Sequence, residues 1–144
     1  MSALNKTRCV ILVLAAIGRP HPARAQDVVL VANSSVRISE IKAADLRAIF
    51  VGARTRFSDG SRAIPVTLKG GPAHEVFLKH YVGEGPTEFR SRWQKIAFTG
   101  QGTMPKMFDS ETDVIEFVAN TPGALGYVSR LSGQERVRAI VAVK

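Results

Sequence analysis

The sequence predicts a single α/β domain in which helices pack in two or three layers against a mixed β-sheet. β-Prone and amphipathic segments follow one another in the order β-α-β-α-α-α-β-β. The chain has 144 residues, which is the length of one domain. No internal repeat, low-complexity tract or interdomain linker divides the sequence. We therefore expect one hydrophobic core built around one sheet.

The first 25 residues are predicted to be a secretory signal peptide. Lys6 and Arg8 form a basic start, residues 9–17 are apolar, and Ala23-Arg24-Ala25 supplies small residues for cleavage after position 25. The apolar run is too short to span a bilayer, which takes about 20 residues. We therefore expect an exported protein, periplasmic or secreted, whose mature domain is residues 26–144 and has no transmembrane span.

Composition limits the partners of the mature domain. The net charge of the chain is +8, and four positive charges lie in the first 25 residues, so residues 26–144 carry +4. The other basic residues are dispersed among 12 acidic ones, without the long Lys or Arg run typical of a nucleic-acid partner. Cys9, the only cysteine, lies in the signal peptide. The domain therefore depends on its hydrophobic core and not on a disulfide.

The first strand and the first helix are predicted from a β-prone run and an amphipathic segment. Residues 27–32 are typical of a buried strand. An extended connector over 36–41 leads to a helix that begins at residue 42 or 43 and ends at Phe50. Gly52 follows the helix at the position where a left-handed C-cap favours glycine.

The second strand is predicted over residues 63–68, after a turn at Asp59-Gly60. The segment is largely apolar. Pro65, within it, has no N–H to donate to a neighbouring strand. We therefore expect either that this strand lies at a sheet edge or that the proline lies near its start.

Two helices are predicted after the second strand. Pro72 suits the first position of a helix that runs to about Tyr81, because its missing N–H is not needed there. Thr87 is expected to cap the next helix, which ends at Phe98. The spacing of the first of these helices places four residues on one side, namely Val76, Phe77, His80 and Tyr81.

The last part of the chain is predicted to contain an irregular segment, a helix and two strands. Residues 103–109 are expected to be irregular. Ser110 with Asp113 resembles a capping box that opens a helix over 114–119. The final strands are predicted over 124–128 and 137–143.

The side chains do not indicate a catalytic or a metal centre. His74 and His80 are six positions apart, whereas a helical metal pair is spaced four apart. There is no Gly-x-Ser-x-Gly elbow and no Walker loop. Three carboxylates cluster at a predicted helix start, where the helix dipole favours them: Glu111, Asp113 and Glu116. We expect a protein that is not an enzyme, with no catalytic residue, metal or cofactor.

Two glycine-containing segments are candidates for binding. Gly70 and Gly71 precede a predicted helix start with Lys69 beside them, and backbone N–H groups in such a turn suit an anion. An ordinary strand-to-helix turn explains the same residues. Thr99-Gly100-Gln101-Gly102 offers a hydroxyl and an amide, but it also has the composition of a helix stop. Spacing alone favours the ordinary turn in the first segment and the helix stop in the second.

Three blocks of sequence carry a family resemblance. One reads L-R-x-I-F-x-G over 46–52, followed by Ser58-Asp59-Gly60 and Pro65-Val66. The others read V-L-V-A-N over 29–33 and N-T-P-G-A-L-G-Y-V over 120–128. Together they resemble the type II periplasmic binding proteins, specifically the phosphate-binding proteins of ABC transporters. The resemblance covers nearly all of the mature chain.

The resemblance implies a single lobe of a protein that usually has two. It also implies a non-enzymatic solute-binding role, with phosphate or another small anion as ligand, as an accessory to ABC-type uptake. Family members carry a Ser-Gly-Thr signature after the second strand. Here that stretch has no hydroxyl, and Pro72 removes one N–H.

The candidate anion-binding residues come from the first strand end and from this turn. They are Asn33, Ser34, Lys69, Gly70, Gly71, Ala73 and His74. A second copy could complete a half-site, so a homodimer is a corollary hypothesis. The alternative function is an envelope protein–protein interaction module that kept the lobe fold and lost the ligand site.

Overall fold

Six strands form one mixed sheet in the computed structural model, which describes residues 27–144. They are β1 (Val29–Ala32), β2 (Glu40–Lys42), β3 (Ile64–Leu68), β4 (Lys106–Phe108), β5 (Ala124–Val128) and β6 (Arg138–Val143). Their order across the sheet is β2-β6-β1-β5-β3-β4. β1 is antiparallel to β5 and β6, whereas β3 is parallel to β4 and β5. The predicted α/β class and mixed sheet are confirmed.

The helices cover both faces of this sheet. They are α1 (Ala43–Phe50), α2 (Pro72–Phe77), α3 (Pro86–Phe98) and α4 (Glu111–Asn120), with a π-helical turn over Leu78–Val82. Val114 and Val118 of α4 approach Gly126 of β5. The next residue, Tyr127, contacts the aromatic side chains of α1 and α2. Since neighbouring residues of a strand point to opposite faces, the domain has three layers.

The predicted signal peptide and its cleavage site lie outside the described residues. Within residues 27–144, no helix is long and apolar enough to cross a membrane.

Two short strands depart from the prediction. The expected connector over 36–41 ends in β2, which pairs in parallel with β6. The expected irregular segment over 103–109 contains β4, which pairs in parallel with β3. Three residues are too few to show a period of two, and both strands exist because a longer neighbour offers its free edge.

Pro65 lies near the start of β3, which was one of the two predicted explanations. The other explanation is wrong, because β3 lies between β5 and β4 and not at the sheet edge. β4 pairs only with residues 66–68 of β3, so no ladder bond from the proline nitrogen is needed on that side.

The helix after β3 buries a different set of residues from the predicted one. α2 ends at Phe77, and the π-helical turn changes the periodicity that the prediction assumed. Phe77 is buried as expected, but His80 is exposed, and Val76 and Tyr81 are half-buried. The buried side consists of Ala73, His74, Phe77, Leu78 and Val82.

The start of α3 also differs from the prediction. Gly85 is the N-cap residue in place of Thr87, and Pro86 is the first helical residue. The Glu88 carboxylate accepts a hydrogen bond from the Gly85 N–H at 2.6 Å. Proline at the first position shifts the helix start one residue ahead of the threonine.

The predicted Gly52 after α1 and the predicted Ser110 cap of α4 are confirmed, although α4 begins at Glu111 and not at residue 114. Gly52 follows α1 with a φ of +81°. The Ser110 hydroxyl accepts a hydrogen bond from the Asp113 N–H at 3.1 Å. Both features are local, so the sequence alone specifies them.

Gly123 joins three separate segments of the fold. Its N–H donates to the Ser35 hydroxyl at 3.0 Å, and its carbonyl accepts from the Ile64 N–H at 2.9 Å. It has a φ of +78°, and a Cβ at this position would lie 2.5 Å from the Arg62 carbonyl oxygen. A side chain is therefore excluded both by conformation and by contact.

We predict that Gly123→Ala is more destabilising than Gly60→Ala. Both glycines have positive φ, but the space around Gly60 is open. Gly60→Ala should cost about 1–2 kcal/mol for the left-handed backbone alone. The clash at Gly123 should add about 1–3 kcal/mol, measured as the free energy of unfolding in urea. Equal losses in the two variants would contradict the assigned contact.

Candidate functional site

The Tyr127 hydroxyl links the end of β3 to α2. It accepts a hydrogen bond from the Leu68 N–H at 3.2 Å and lies 2.5 Å from His74 Nδ1. The hydroxyl has one hydrogen and two lone pairs, so the imidazole tautomer decides whether it donates to Nδ1 or accepts from it.

His74 lies in the core and not on the turn surface. Its exposed fraction is 4%. Burial lowers the pKa of the imidazole, and the nearby charge of Arg90 lowers it further. His74 therefore does not supply a positive charge near neutral pH. It is hydrogen-bonded to the Tyr127 hydroxyl and lines a small cavity.

The cavity lies between the end of β3, α2 and α3. It measures about 10 Å³, which is close to the least space that holds one water molecule. Its polar and charged lining residues are Thr67, Lys69, His74 and Arg90, and no acidic residue lines it. Thr67 is fully buried, and its hydroxyl makes no hydrogen bond within residues 27–144. A buried hydroxyl of this kind favours one more polar partner in the cavity.

The turn from Lys69 to Gly71 lies next to the cavity, and Lys69 lines it. All three residues are exposed, and the space around both glycines is open. The Lys69 ammonium lies 3.1 Å from the Asp109 carboxylate. Because both side chains are exposed, this ion pair adds little stability and can open for another anion. Ala73, the second residue of α2, is buried.

Asn33 and Ser34 lie at the other end of the sheet. β1 runs antiparallel to β5 and β3 runs parallel to β5, so the end of β1 meets the start of β3. The Asn33 amide donates to the carbonyl oxygens of Val118 and Ala119 at 2.7 and 3.0 Å and accepts from the Ser35 N–H. Asn33 therefore caps the end of α4, whereas Ser34 is exposed.

The structure thus brings five of the seven predicted site residues to one place. Lys69, Gly70, Gly71, Ala73 and His74 are contiguous at the end of β3. It separates Asn33 and Ser34 from them by the length of that strand. Three further residues belong to the same place and were not predicted to be part of the site: Thr67, Arg90 and Tyr127.

Only one of these three carried a signal in the sequence. Thr67 is the single hydroxyl in the apolar run over 63–68, and a polar residue in a buried strand calls for a partner. Tyr127 was interpreted as a core aromatic, which it is. Arg90 is one of many exposed basic residues, and only the packing of α3 brings it to the cavity. No group of three or more metal-ligating side chains occurs within residues 27–144.

Comparison with solved structures finds the same fold in phosphate-binding proteins. The phosphate ABC transporter substrate-binding protein of Clostridium perfringens, solved with bound phosphate, superposes with a TM-score of 0.62 at 15% identity. PstS of Borrelia burgdorferi gives 0.59 at 12%, and an ABC-type phosphate transport receptor of Vibrio cholerae gives 0.57 at 14%. The resemblance seen in the sequence is thereby confirmed at the level of the fold.

The match covers most of this chain but less than half of each of these proteins. It includes 78–80% of this chain and 43–46% of theirs. No protein-family model matches the sequence. No curated protein matches it. At these sequence identities the comparison establishes the fold alone. Only the side chains of this chain can indicate a ligand.

We predict that Tyr127→Phe costs about 1–3 kcal/mol of stability, because the buried Leu68 N–H and His74 Nδ1 lose their shared partner. Tyr81→Phe is the matched control, since the Tyr81 hydroxyl makes no hydrogen bond to another side chain within residues 27–144 and the residue is half-buried. Its effect should stay within about 0.5 kcal/mol. Urea unfolding of both variants measures the difference. Equal stability of the two variants would contradict a stabilising role of the Tyr127 hydroxyl.

The lowered pKa of His74 predicts a loss of stability on acidification. The unfolded chain binds a proton below its ordinary value of 6.5, whereas the folded chain resists it, so acid favours unfolding. Between pH 8 and 5.5, wild-type protein should lose more unfolding free energy than His74→Gln. His80→Gln, at an exposed histidine, should follow the wild type. A His74→Gln variant with the wild-type pH profile would contradict the buried neutral imidazole.

Proposed function

We propose that residues 27–144 form a non-enzymatic, solute-binding-like lobe that takes a small phosphate-like anion at the turn from Lys69 to Gly71. The observation that best supports the proposal is that positively charged side chains lie together at one place in a fold shared with phosphate-binding proteins. The fold is that of three phosphate-binding proteins. Lys69 and two exposed glycines, Gly70 and Gly71, follow the end of β3, and Arg90 of α3 lines the same cavity as Lys69.

The turn offers complementary charge without a competing acid in the cavity below it. The Lys69 ammonium and the Arg90 guanidinium line the same cavity. Asp109 lies on the rim, where it pairs with Lys69 at 3.1 Å. A doubly charged anion competes with one exposed carboxylate for the ammonium and gains the guanidinium as well. The Thr67 hydroxyl below is available to a bridging water.

The same geometry predicts weak binding by this lobe alone. α2 has six residues, and Pro72 removes one N–H from its first turn. The cavity is too small for a phosphate, so the anion stays at the surface. We expect a dissociation constant in roughly the millimolar range. A second lobe, from another chain or another copy, would enclose the anion and raise the affinity.

In this proposal the exported protein acts at the periplasmic face of an ABC-type uptake system as an accessory that holds or delivers the anion. The signal peptide over residues 1–25 remains a prediction from the sequence. This predicted segment supports the compartment, and the fold shared with phosphate ABC transporter substrate-binding proteins supports the transporter class.

One observation favours a second candidate function, an envelope protein–protein interaction module without ligand. The Phe98 side chain, at the end of α3, is 93% exposed. A fully exposed aromatic ring is typical of a contact surface for another protein. In this alternative, anion titration gives no heat, and Phe98→Ser lowers self-association measured by analytical ultracentrifugation.

Calorimetric titration with phosphate and with sulfate tests the anion site. We predict saturable binding to residues 26–144 that Lys69→Ala and Arg90→Ala each weaken about tenfold, since each removes one charge-assisted contact. Lys79→Ala is the control, because it removes an exposed positive charge that does not line the cavity. Absence of heat at millimolar anion, or equal weakening by all three variants, would contradict the site.

A further inference from the structure

We propose that a second cleft of this domain binds small organic anions that combine a carboxylate with an apolar body. The cleft has a volume of about 400 Å³ and lies between α1, α3, the start of β3 and the segment before β4. It shares Trp93, Met104 and Pro105 with the small cavity below Lys69, so these residues form the wall between the two. The proposal is independent of the function proposed above.

The cleft exists because β4 is short. β4 begins at Lys106 and pairs with residues 66–68, so Ile64 and Pro65 have no strand beside them on that side. Residues 101–105, which precede β4, line the cleft beside this part of β3. An exposed strand edge normally carries free N–H donors, but Pro65 has none. This stretch of the cleft is therefore suited to apolar contact more than to the addition of a strand.

The floor of the cleft is apolar and closely packed. Trp93 is buried, and its indole N–H donates to the Phe50 carbonyl at 2.9 Å, which fixes the ring. Two glycines allow their segments to pack closely against the side chains of this floor. A Cβ on Gly52 would lie 2.8 Å from the Trp93 ring, and one on Gly102 would lie 3.1 Å from Ile96. Ring and aliphatic surface at fixed positions favours an apolar body in a ligand.

The rim of the cleft is positively charged. Arg54, Arg62 and Lys106 line it, and no acidic residue does. Arg54 is paired with Asp45, and the Lys106 ammonium lies 5.0 Å from the centre of the Phe117 ring. Arg62 forms no salt bridge within residues 27–144. Its guanidinium is therefore the group that binds a carboxylate with two parallel hydrogen bonds.

The polar groups near the rim fit a carboxylate better than a bare phosphate. The cleft is also lined by Thr55, Gln101 and Thr103. Their hydroxyl and amide groups can donate hydrogen bonds to the side of the carboxylate that faces away from Arg62. An inorganic anion would leave the half-buried side chains of Ile64, Pro65 and Ile96 in contact with water, whereas an aryl or alkyl group covers them. The volume lies within the range of small-molecule sites, about 300–1,000 Å³.

Trp93 is the only tryptophan of the chain, so its fluorescence reports directly on the cleft. The probe is 3-phenylpropionate, with 3-phenylpropan-1-ol and 3-phenylpropylamine as neutral and cationic analogues. We expect a saturable fluorescence change with the carboxylate and at least about tenfold weaker binding of the two analogues. Arg62→Gln should weaken the carboxylate about tenfold. Arg136→Gln, at an exposed arginine outside the cleft, should leave binding unchanged.

Lys69→Ala separates this cleft from the anion site proposed above. It should bind 3-phenylpropionate as the wild type does, because Lys69 does not line the cleft. Equal binding of the alcohol and the carboxylate would overturn the proposal, as would the absence of a saturable change. Equal affinities of Arg62→Gln and Arg136→Gln would also overturn it.

Discussion

The contact between Tyr127 and Phe77 holds the helical layer that contains α1 and α2 on the sheet. Their rings stack at 3.9 Å with an interplanar angle of 7°, and Phe50 meets the Phe77 ring edge-on at 4.7 Å. Burial raises the pKa of the Tyr127 hydroxyl, so the group stays protonated while it accepts a hydrogen bond from the Leu68 N–H and shares another with His74 Nδ1. One side chain therefore fixes β5, the end of β3 and α2 relative to each other.

Both proposed sites depend on this arrangement. The turn from Lys69 to Gly71 connects β3 to α2, and the Tyr127 hydroxyl is bonded on each side of it. Phe50, which contacts Tyr127, also accepts the hydrogen bond from Trp93, and Trp93 forms the wall shared by the cavity and the second cleft. A change in the aromatic cluster would therefore move the anion turn and the cleft together.

The parts of the fold that local chemistry determines could be predicted from the sequence. The strand over 124–128 follows a turn whose glycine has a required conformation, and α4 begins at a serine that caps it. β2 and β4 could not be predicted, because three residues become a strand only beside a partner. The prediction of which face of the helix after Pro72 is buried was wrong, because the π-helical turn shifts the side chains after Phe77.

The candidate site was predictable only where it is continuous in the chain. Lys69, Gly70 and Gly71 follow a strand and precede a proline, which is a pattern visible in the sequence. Strand direction is not visible there, so Asn33 and Ser34 were grouped with residues at the opposite end of the sheet. Arg90 and the Tyr127 hydroxyl reach the site from elements that lie about 20 and 60 residues further along the chain, and only packing brings them there.

The most direct test of the anion-binding lobe is an NMR titration of ¹⁵N-labelled residues 26–144 with phosphate at constant ionic strength. We predict saturable amide shifts centred on Gly70 and Gly71, with smaller changes at Lys69. Shifts that do not saturate, or that occur away from this turn, would contradict it.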